Sequence, residues 1–442
     1  MIVIRRTSRC KLFIGFAFVI LYIFTDQPIK SQGLNHPMDS LLHTNHIFKN
    51  SIKTIQLHKM EWELSYPLID INSNEKLILS FDDLSDNVGD YYYSFIHCDA
   101  TWNPTSLLEQ DYLDGFPENQ INDYEFSFNT TVKYIHYSLS FPNEDVNFKI
   151  SGNYILIIYQ NYDKSDVLFT RRFMVTENLV DVGASMRRPA NTQFFDDGQE
   201  IQIAVKYPRY SIFDPYSEVK VAVSQNGRWD NAVLFDKPSF VRTSELIYDF
   251  DRRNIFYGGS EYRYFDIKSM RYQTQYIQYI DFRHPYYHVS LFPSESKARL
   301  SYFYEQDING RYYVRIQEGD KNEIEADYAK VYFTLKRESP YNMGEVYIFG
   351  ALSDWTCNEN SHMIYNFETQ AYEGSLMLKQ GYYNYEYVVK ENGITYADNT
   401  VFEGSHFETE NDYLIFIYHR AAGSRYDRIV GYAMVNSLTN PH

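Results

Sequence analysis

The chain has 442 residues, a formal net charge of −17 and an aromatic content of 18%, including 43 Tyr and 31 Phe. An acidic protein repels phosphate backbones and anionic lipid surfaces, so this charge argues against nucleic acids and lipid headgroups as direct partners. The aromatic residues favour β-sheets over helices, because their rings fit a pleated, half-buried surface.

The N-terminus has the features of a secretion signal. Four basic residues lie between positions 5 and 11, and an apolar run over residues 12–24 follows them. This run is too short to cross a hydrocarbon core of about 30 Å as a helix, but it matches the apolar region of a signal peptide. We therefore predict a signal peptide over residues 1–31 and an exported protein. An uncleaved N-terminal anchor is the alternative.

Alternation of apolar and polar residues recurs along the rest of the chain and predicts half-buried antiparallel strands. The clearest runs are KLILSF at 76–81, KYIHYSLSF at 133–141, EVKVAV at 218–223 and YAKVYFTLK at 328–336. Helical periodicity is nearly absent, and a short turn of helix is predicted within residues 104–112. Asn-Gly pairs at 226–227, 309–310 and 392–393 predict type I′ hairpin turns, because both residues of that turn need a positive φ.

These elements predict an all-β protein made of tandem immunoglobulin-like, early-set antiparallel β-sandwiches. Small and polar residues interrupt the strand pattern at 175–200 and again at 336–345. We therefore predict an exposed lead-in over 32–50, an N-terminal sandwich over 51–178, a middle sandwich over 179–336 and a C-terminal early-set domain over 337–442.

Cys98 and Cys357 remain after the predicted cleavage, and they fall in different predicted domains. We expect no disulfide between them, although an oxidising compartment would allow one to form. Stability then has to come from the packing of domains large enough to hold their own cores.

The C-terminal unit resembles early-set immunoglobulin-like modules, some of which bind glycogen or starch. The resemblance rests on GEVYIFGALSDW at 344–355 and on a Lys-Gln-Gly-Tyr turn at 379–382 that enters another strand. It implies two readings of Trp355, core packing or a platform for a sugar ring. A carbohydrate-binding accessory protein is therefore an alternative function, although surface glycan binders of this kind usually carry a lipoprotein cysteine after the apolar run, which this chain lacks.

His97, Cys98 and Asp99 stand side by side and have the residue types of a hydrolase. In a strand, however, neighbouring side chains point to opposite faces, so His97 and Cys98 cannot hydrogen-bond to each other. Cys98 follows an apolar run and is predicted to be a small buried residue. We expect no catalytic residues and no enzymatic activity.

Two further patterns have the residue types of a metal site. His284 and His288 are separated by about 13 Å if they lie on a strand, too far for two ligands of one zinc at about 2 Å each. Residues 307–311 begin like a calcium loop but end on a basic residue, so a hairpin between residues 301–306 and 311–316 is favoured. Asp86 and Asp90 are interpreted as part of a solvated loop. No metal and no cofactor is predicted.

The order of the motifs resembles that of the plug protein family of the type IX secretion system of Bacteroidota. The segments that carry this resemblance are SFIHCDATWNPTSLLEQDYLDGF at 94–116, SGNYILIIY at 151–159, QNGRWDNA at 225–232, NIFYGGSEYRYFDIKS at 254–269, GEVYIFGALSDW at 344–355 and DRIVGYAMVNS at 427–437. They span nearly all of the chain that follows the predicted signal.

This resemblance implies a non-catalytic periplasmic protein that binds the outer-membrane translocon barrel and occludes its periplasmic opening. The protein would then lie at the inner face of the outer membrane, held there by the translocon and not by lipid. An assembly scaffold of the same secretion machinery is a further alternative.

Residues 102–116 form the candidate partner-binding loop, because loops on a rigid scaffold commonly carry binding residues. We predict Trp102, Tyr112 and Phe116 as its contact residues. The alternative is that these rings fold back over their own sandwich.

Overall fold

The computed structural model describes residues 42–85 and 87–439. The predicted signal peptide at 1–31, the first part of the predicted lead-in at 32–41, and Asp86 lie outside the described residues. Within the described ranges, the structure has no helix with the length and apolar character needed to cross a membrane.

Strands dominate the described chain, and the helices are single turns. The first region contains β1 (His46–Ile47), β2 (Ile52–Lys59), β3 (Leu68–Asp70), β4 (Leu77–Asp83), β5 (Tyr91–Cys98), α1 (Glu109–Tyr112), β6 (Leu113–Gly115), β7 (Asn119–Gln120), β8 (Asp123–Phe126), β9 (Ile135–Phe141), β10 (Val146–Phe148), β11 (Gly152–Gln160) and β12 (Val167–Thr176). The next region contains β13 (Asp181–Arg187), β14 (Gly198–Lys206), α2 (Pro215–Glu218), β15 (Val219–Gln225), β16 (Val233–Phe235), β17 (Phe240–Arg242), β18 (Glu245–Tyr248) and β19 (Ile255–Tyr257).

The remaining elements complete the chain. They are β20 (Arg263–Asp266), β21 (Ile277–Arg283), β22 (Tyr286–Leu291), β23 (Tyr312–Val314), α3 (Asn322–Glu325), β24 (Tyr328–Lys336), β25 (Gly344–Phe349), β26 (His362–Asn366), β27 (Ala371–Lys379), β28 (Gly381–Glu391), α4 (Thr400–Glu403), β29 (Asp412–His419) and β30 (Arg428–Asn436). The all-β prediction is confirmed, as are the helical turn within 104–112 and the four alternating runs, which form β4, β9, β15 and β24.

Alternation decides which side chains enter the first core. In β4, Leu77, Leu79 and Phe81 are fully buried, and Ile78 and Ser80 between them are less so. Sheet I has the order β2-β4-β9-β8, and sheet II has the order β1-β12-β11-β5-β7 with β3 added on β12. The facing sides of sheets I and II enclose one aromatic-rich core, in which Tyr154 and Phe173 stack with centroids 5.4 Å apart.

Sheet II is also buried on its other face. Residues 152–159 of β11 are buried without a break, as expected for a strand that is covered on both sides. The second face packs against sheet III, whose order is β16-β15-β29-β30. There Cys98 and Ile155 of sheet II share a cluster with Phe416 of sheet III. The opposite face of sheet III covers sheet IV, which contains β13-β14-β18-β17 and β19, so four sheets form one stack.

The grouping of strands corrects two of the predicted units. β29 pairs with β15 from Val219↔His419 to Gln225↔Tyr413, so the end of the chain belongs with the middle sandwich and not with residues 337–442 as a whole. β24, predicted in the middle unit, pairs with β27. Strands β20 to β28 form one nine-stranded sheet that curves around its own core and is inserted between β19 and β29. Periodicity identifies a strand, but the choice of its partner is non-local, which explains the error.

The N-terminal lead-in is corrected as well. Within its described part, residues 46–47 form β1 and pair with β12, so they extend sheet II instead of lying exposed. Phe48 packs against the cluster between sheets II and III.

The Asn-Gly predictions have mixed outcomes. Asn226 and Gly227 both have a positive φ and lie between the paired strands β15 and β16. Asn309 and Gly310 also have a positive φ, but residues 301–308 form no strand, so the predicted hairpin is wrong. The Asp307 carboxylate accepts hydrogen bonds from the backbone N–H groups of Tyr262 and Asn309, and this holds the segment against β20 in an irregular path.

A buried ion pair joins the first sandwich to the nine-stranded sheet. Asp82 of β4 and Lys379 of β27 are almost fully buried, and their charged atoms lie 2.6 Å apart. Tyr328 donates a hydrogen bond of 2.6 Å to the same carboxylate, and His136 Nδ1 lies 2.7 Å from its second oxygen. The Lys379 ammonium also lies 4.2 Å from the ring centroid of Tyr134. Burial alone would raise the pKa of Asp82, but the ammonium and these hydrogen bonds hold it below its usual value.

We expect Lys379→Ala to lower the free energy of unfolding by about 3–5 kcal/mol, because it leaves the Asp82 carboxylate buried without a counter-charge. Urea denaturation of the full chain measures this loss. The control is Lys321→Ala, which removes an exposed lysine paired with Glu125 and should cost less than about 1 kcal/mol. Equal losses for the two variants would contradict the importance assigned to the buried pair.

Candidate protein-binding surface

The hydrolase-like cluster is packed inside the body. His97 points toward the first core, where its ring meets Tyr154 edge-on at 5.0 Å and its Nε2 atom lies 3.3 Å from the Ser151 carbonyl oxygen. Cys98 points the other way, into the contact with sheet III. Burial lowers the pKa of His97 to about 4 and raises the pKa of Cys98 to about 12. A neutral thiol and a weakly basic imidazole on opposite faces of a strand do not form a nucleophile and its base.

The two metal-like patterns have other roles. His288 Nδ1 lies 2.8 Å from the Tyr332 hydroxyl, and His284 lies in the turn between β21 and β22. Asp307 is occupied by backbone N–H groups, as described above. Among the described residues, no group of three or more His, Cys, Asp or Glu has the arrangement of a metal site.

Burial removes two of the three predicted contact residues from the surface. Trp102 is 4% exposed, meets Trp229 edge-on at 4.9 Å and carries the Arg172 guanidinium 4.4 Å from its ring centroid. It therefore joins the first sandwich to the middle one. Tyr112 is also 4% exposed and donates a hydrogen bond of 3.0 Å to the Phe95 carbonyl, so it folds back over its own sandwich. Phe116 is 68% exposed and stays a candidate contact residue.

Trp355 is packed between other rings. Its indole meets Phe349 at 5.6 Å and Tyr262 at 6.2 Å, both edge-on, and a Cβ added at Gly310 would lie 2.3 Å from it. Trp355 and Asp354 both have a positive φ, which turns the chain sharply after β25. These contacts agree with the core-packing reading of Trp355, which is partly buried against the cluster of Phe349.

The three units meet around a cavity of about 160 Å³. Arg311, before β23, donates to the Leu64 carbonyl, lies 5.0 Å from the ring centroid of Tyr66 and approaches Asp412 of β29 at 3.3 Å. One guanidinium thus contacts the first sandwich and sheet III from the inserted unit. Of the arginines that line the cavity, Arg171 pairs with Asp354, Arg311 pairs with Asp412, and Arg172 donates to the His43 carbonyl.

An exposed aromatic patch lies on β8 and was missed by sequence reasoning. It consists of Tyr124, Phe126 and Phe128, which are 41%, 60% and 65% exposed. Tyr124 lies directly opposite Tyr137 and Phe126 opposite Ile135 in the pairing of β8 with β9. Tyr137 and Ile135 both face the first core. The β8 aromatic patch therefore points to the core side of sheet I at a place that sheet II does not cover.

The sequence signal for this patch was present. Residues 123–128 read DYEFSF, an alternation of aromatic and polar side chains that predicts a strand with one apolar face. Nothing in the segment indicates that sheet II, which covers the rest of this face, does not extend over it.

The described chain also buries two carboxyl groups at the contact between the inserted unit and the middle sandwich. Glu261 accepts hydrogen bonds from the Tyr302 hydroxyl at 2.5 Å and from the Glu410 backbone N–H at 3.2 Å, while its Oε2 atom has no partner in the protein. Burial, with Asp307 and Glu410 nearby, raises the pKa of Glu261 to about 7. Burial also raises the pKa of Asp307 to about 6.

Comparison with known proteins identifies the family. Residues 52–177 match the family described as the type 9 secretion system plug protein 1st domain. The chain belongs to the type IX secretion system plug family. The resemblance noted in the sequence is thus confirmed, and the matched range covers the first sandwich. Membership indicates a role in type IX secretion, in the cell envelope, within a family that is not enzymatic.

Solved structures support the fold. The crystal structure of a hypothetical protein from Parabacteroides merdae ATCC 43184 is similar, with a TM-score of 0.86 and 34% sequence identity. The alignment covers 89% of the present chain and 99% of the Parabacteroides chain. The BSP domain of a biofilm associated protein is 6% identical with a TM-score of 0.16, over 88% and 59% of the two chains, which is too low to carry an argument. The comparison with curated proteins gives no match.

We expect both cysteines to resist thiol reagents in the folded protein, because burial raises the pKa of each thiol to about 12 and keeps it neutral at pH 7.5. Titration of the protein without residues 1–31, which include Cys10, should detect two thiols with a chromogenic disulfide reagent in denaturant and almost none without denaturant. Fast labelling of Cys98 in the folded state would contradict the packing described for β5.

We also expect ionisation of Glu261 to destabilise the fold. The folded-state pKa of about 7 lies above the ordinary 4.5, so this destabilisation is absent below pH 4.5 and grows as the pH rises through 7. The Tm of Glu261→Gln, measured relative to wild type, should therefore rise between pH 5 and pH 8. Glu295→Gln, at an exposed site on the neighbouring segment, should follow wild type across the same range. A pH-independent difference for Glu261→Gln would contradict the prediction.

Proposed function

We propose that this protein binds the outer-membrane translocon barrel of the type IX secretion system and occludes its periplasmic opening without catalysing a reaction. Family membership is the observation that carries the proposal. A periplasmic location, peripheral to the inner face of the outer membrane through the translocon, follows from it.

The physical demands of occlusion agree with the way the body is built. A plug over an opening wide enough for folded proteins has to keep its shape, and shape is kept when the units share buried contacts. Here the first sandwich meets sheet III through an apolar cluster and through a hydrogen bond of 2.9 Å from the Tyr418 hydroxyl to the Asn153 side chain. The Asp82–Lys379 pair and Arg311 attach the inserted unit to the same body.

A partner protein is also consistent with the surface. The net charge of −17 disfavours anionic lipid, while Phe116 and the β8 aromatic patch expose apolar rings of the kind that anchor protein interfaces. These rings belong to one stretch of the first sandwich, residues 116–128.

Deletion of the gene tests the proposal. We expect the outer membrane of the deletion strain to become permeable to antibiotics too large for ordinary porins, and complementation to restore the barrier. Complementation with Cys98→Ser should work as well as wild type, because no reaction depends on the thiol. Unchanged permeability would contradict occlusion, and a loss of secretion without a leak would favour the scaffold alternative.

Affinity purification of the translocon barrel gives a second measure. The protein should be recovered with barrels that hold no cargo. Its absence from every purified form of the translocon would contradict the proposed binding.

A further inference from the structure

We infer that the outer edge of β8 is the docking site for an extended strand of the translocon barrel protein, which joins sheet I next to β8. This inference rests on the proposed function and specifies how and where the partner binds.

The backbone of β8 leaves one side of sheet I open. β8 is the outermost strand of the order β2-β4-β9-β8. The Ser127 N–H donates to the Tyr134 carbonyl of the β9 side at 2.9 Å, so in the alternating pattern of an antiparallel pair the peptide groups of Tyr124 and Phe126 face away from β9. Phe128 follows the same outward direction, and its N–H already donates to the Ile324 carbonyl of α3 at 2.9 Å. The outward N–H of Phe128 is thus satisfied by α3. The outward peptide groups of Tyr124 and Phe126 lie in an exposed strand.

The side chains of this edge favour an added strand. Natural edge strands are protected by short length, charged side chains, proline, inward-pointing charge or bulges, and β8 has the first two, with four residues that include Asp123 and Glu125. Residues 123–128 contain no proline and no basic residue, and the core-facing positions hold the β8 aromatic patch. All four residues of β8 are exposed. An added strand would extend sheet I and cover these rings with its own core-facing side chains.

The edge strand β21 shows the contrast. It is longer than β8 and lies at the end of the nine-stranded sheet. However, its pairing with β22 is interrupted between Ile277 and Tyr279, and the exposed ion pair of Asp281 with Arg283 lies along it at 2.7 Å. β8 also has an exposed ion pair, Glu125 with Lys321, so the difference lies in the pairing: that of β21 is interrupted, whereas that of β8 with β9 is continuous. The continuous pairing makes β8 the better docking edge.

The acidic residues on and beside β8 indicate which kind of strand can bind there. Asp123 and Glu125 occupy the face of β8 opposite the aromatic patch, and Glu323 and Glu325 lie in the first turn of α3 beside it. The nearby Lys321 is paired with Glu125 at 3.4 Å. A second copy of β8 would place these acidic residues next to one another across the strand pair, which is destabilising. The fitting partner is therefore a strand of another protein, with apolar residues toward the patch and lysine or arginine on the other face.

Two substitutions at Phe126 test the inference with the full chain and the detergent-solubilised translocon barrel. Phe126→Pro removes an N–H that sheet I does not use, and proline is tolerated at such an edge position. Phe126→Lys places a charge in the patch. We expect each to weaken binding about tenfold or more, with an unchanged Tm. The matched control is Phe367→Lys, which changes another exposed phenylalanine (77% against 60% for Phe126) between β26 and β27, and this variant should bind within about twofold of wild type.

Hydrogen exchange adds a measurement that does not depend on a variant. Binding of the barrel should slow amide exchange in a peptide that covers residues 121–128. If wild type binds the barrel and both Phe126 variants bind equally well, with no added protection at 121–128, the docking site is wrong while occlusion stands. If wild type does not bind at all, the proposed function itself fails. If wild type forms a dimer that Phe126→Pro converts to a monomer, the occupant is a second copy and the inference is overturned.

Discussion

Apolar burial on both faces of sheet II holds the molecule together. Its strand β11 is buried without a break over residues 152–159, with Tyr154 and Leu156 in the first core and Ile155 and Ile157 against sheet III. A sheet that is shared in this way cannot separate from either neighbour without exposing a core to water. The Asp82–Lys379 pair adds an electrostatic contact. Separating the two buried charges would leave each without a counter-charge, which is strongly destabilising. The rigidity that the proposed occlusion requires therefore comes from these interfaces, and the two cysteines of the described chain, Cys98 and Cys357, are free thiols.

The strands were predictable and their partners were not. The alternation of Leu77, Leu79 and Phe81 with polar or less buried positions predicts a half-buried strand, because side chains in a strand repeat every two residues. All three are buried in the structure. Nothing in the seven residues of β15 indicates that they pair with β29, which lies far along the chain. The turn at Asn309-Gly310 shows the same limit. Its positive φ angles follow from the residue types, whereas the missing hairpin follows from hydrogen bonds that Asp307 makes with the distant Tyr262 and the neighbouring Asn309.

The candidate binding surface could be predicted only in part, because contacts with distant segments decide which aromatic side chains are exposed. Trp102, Tyr112 and Phe116 belong to the loop predicted at 102–116 and are all aromatic, yet two are buried and one is exposed. The difference arises because Trp229 of another sandwich covers Trp102, while Tyr112 folds back over its own sandwich and donates a hydrogen bond to the Phe95 carbonyl. The β8 aromatic patch is the reverse case, a strand with an apolar face that no sheet covers. The reading of His97 and Cys98 succeeded because it depended only on the geometry of neighbouring residues in a strand.

The pairing of β15 with β29 has a consequence for the growing polypeptide. Asn226 and Asp412, which are joined by a hydrogen bond of 2.8 Å beside this pairing, are separated by 186 positions. During synthesis β15 can pair with β16 on one side, but its other edge stays unpaired until β29 is available, and unpaired strand edges invite aggregation. A product that stops before β29 would expose the part of sheet II that β29 and β30 cover, while Ala222, Trp229 and Leu234 could still cover the rest. Sheet III is therefore completed only after β29 and β30 have been synthesised.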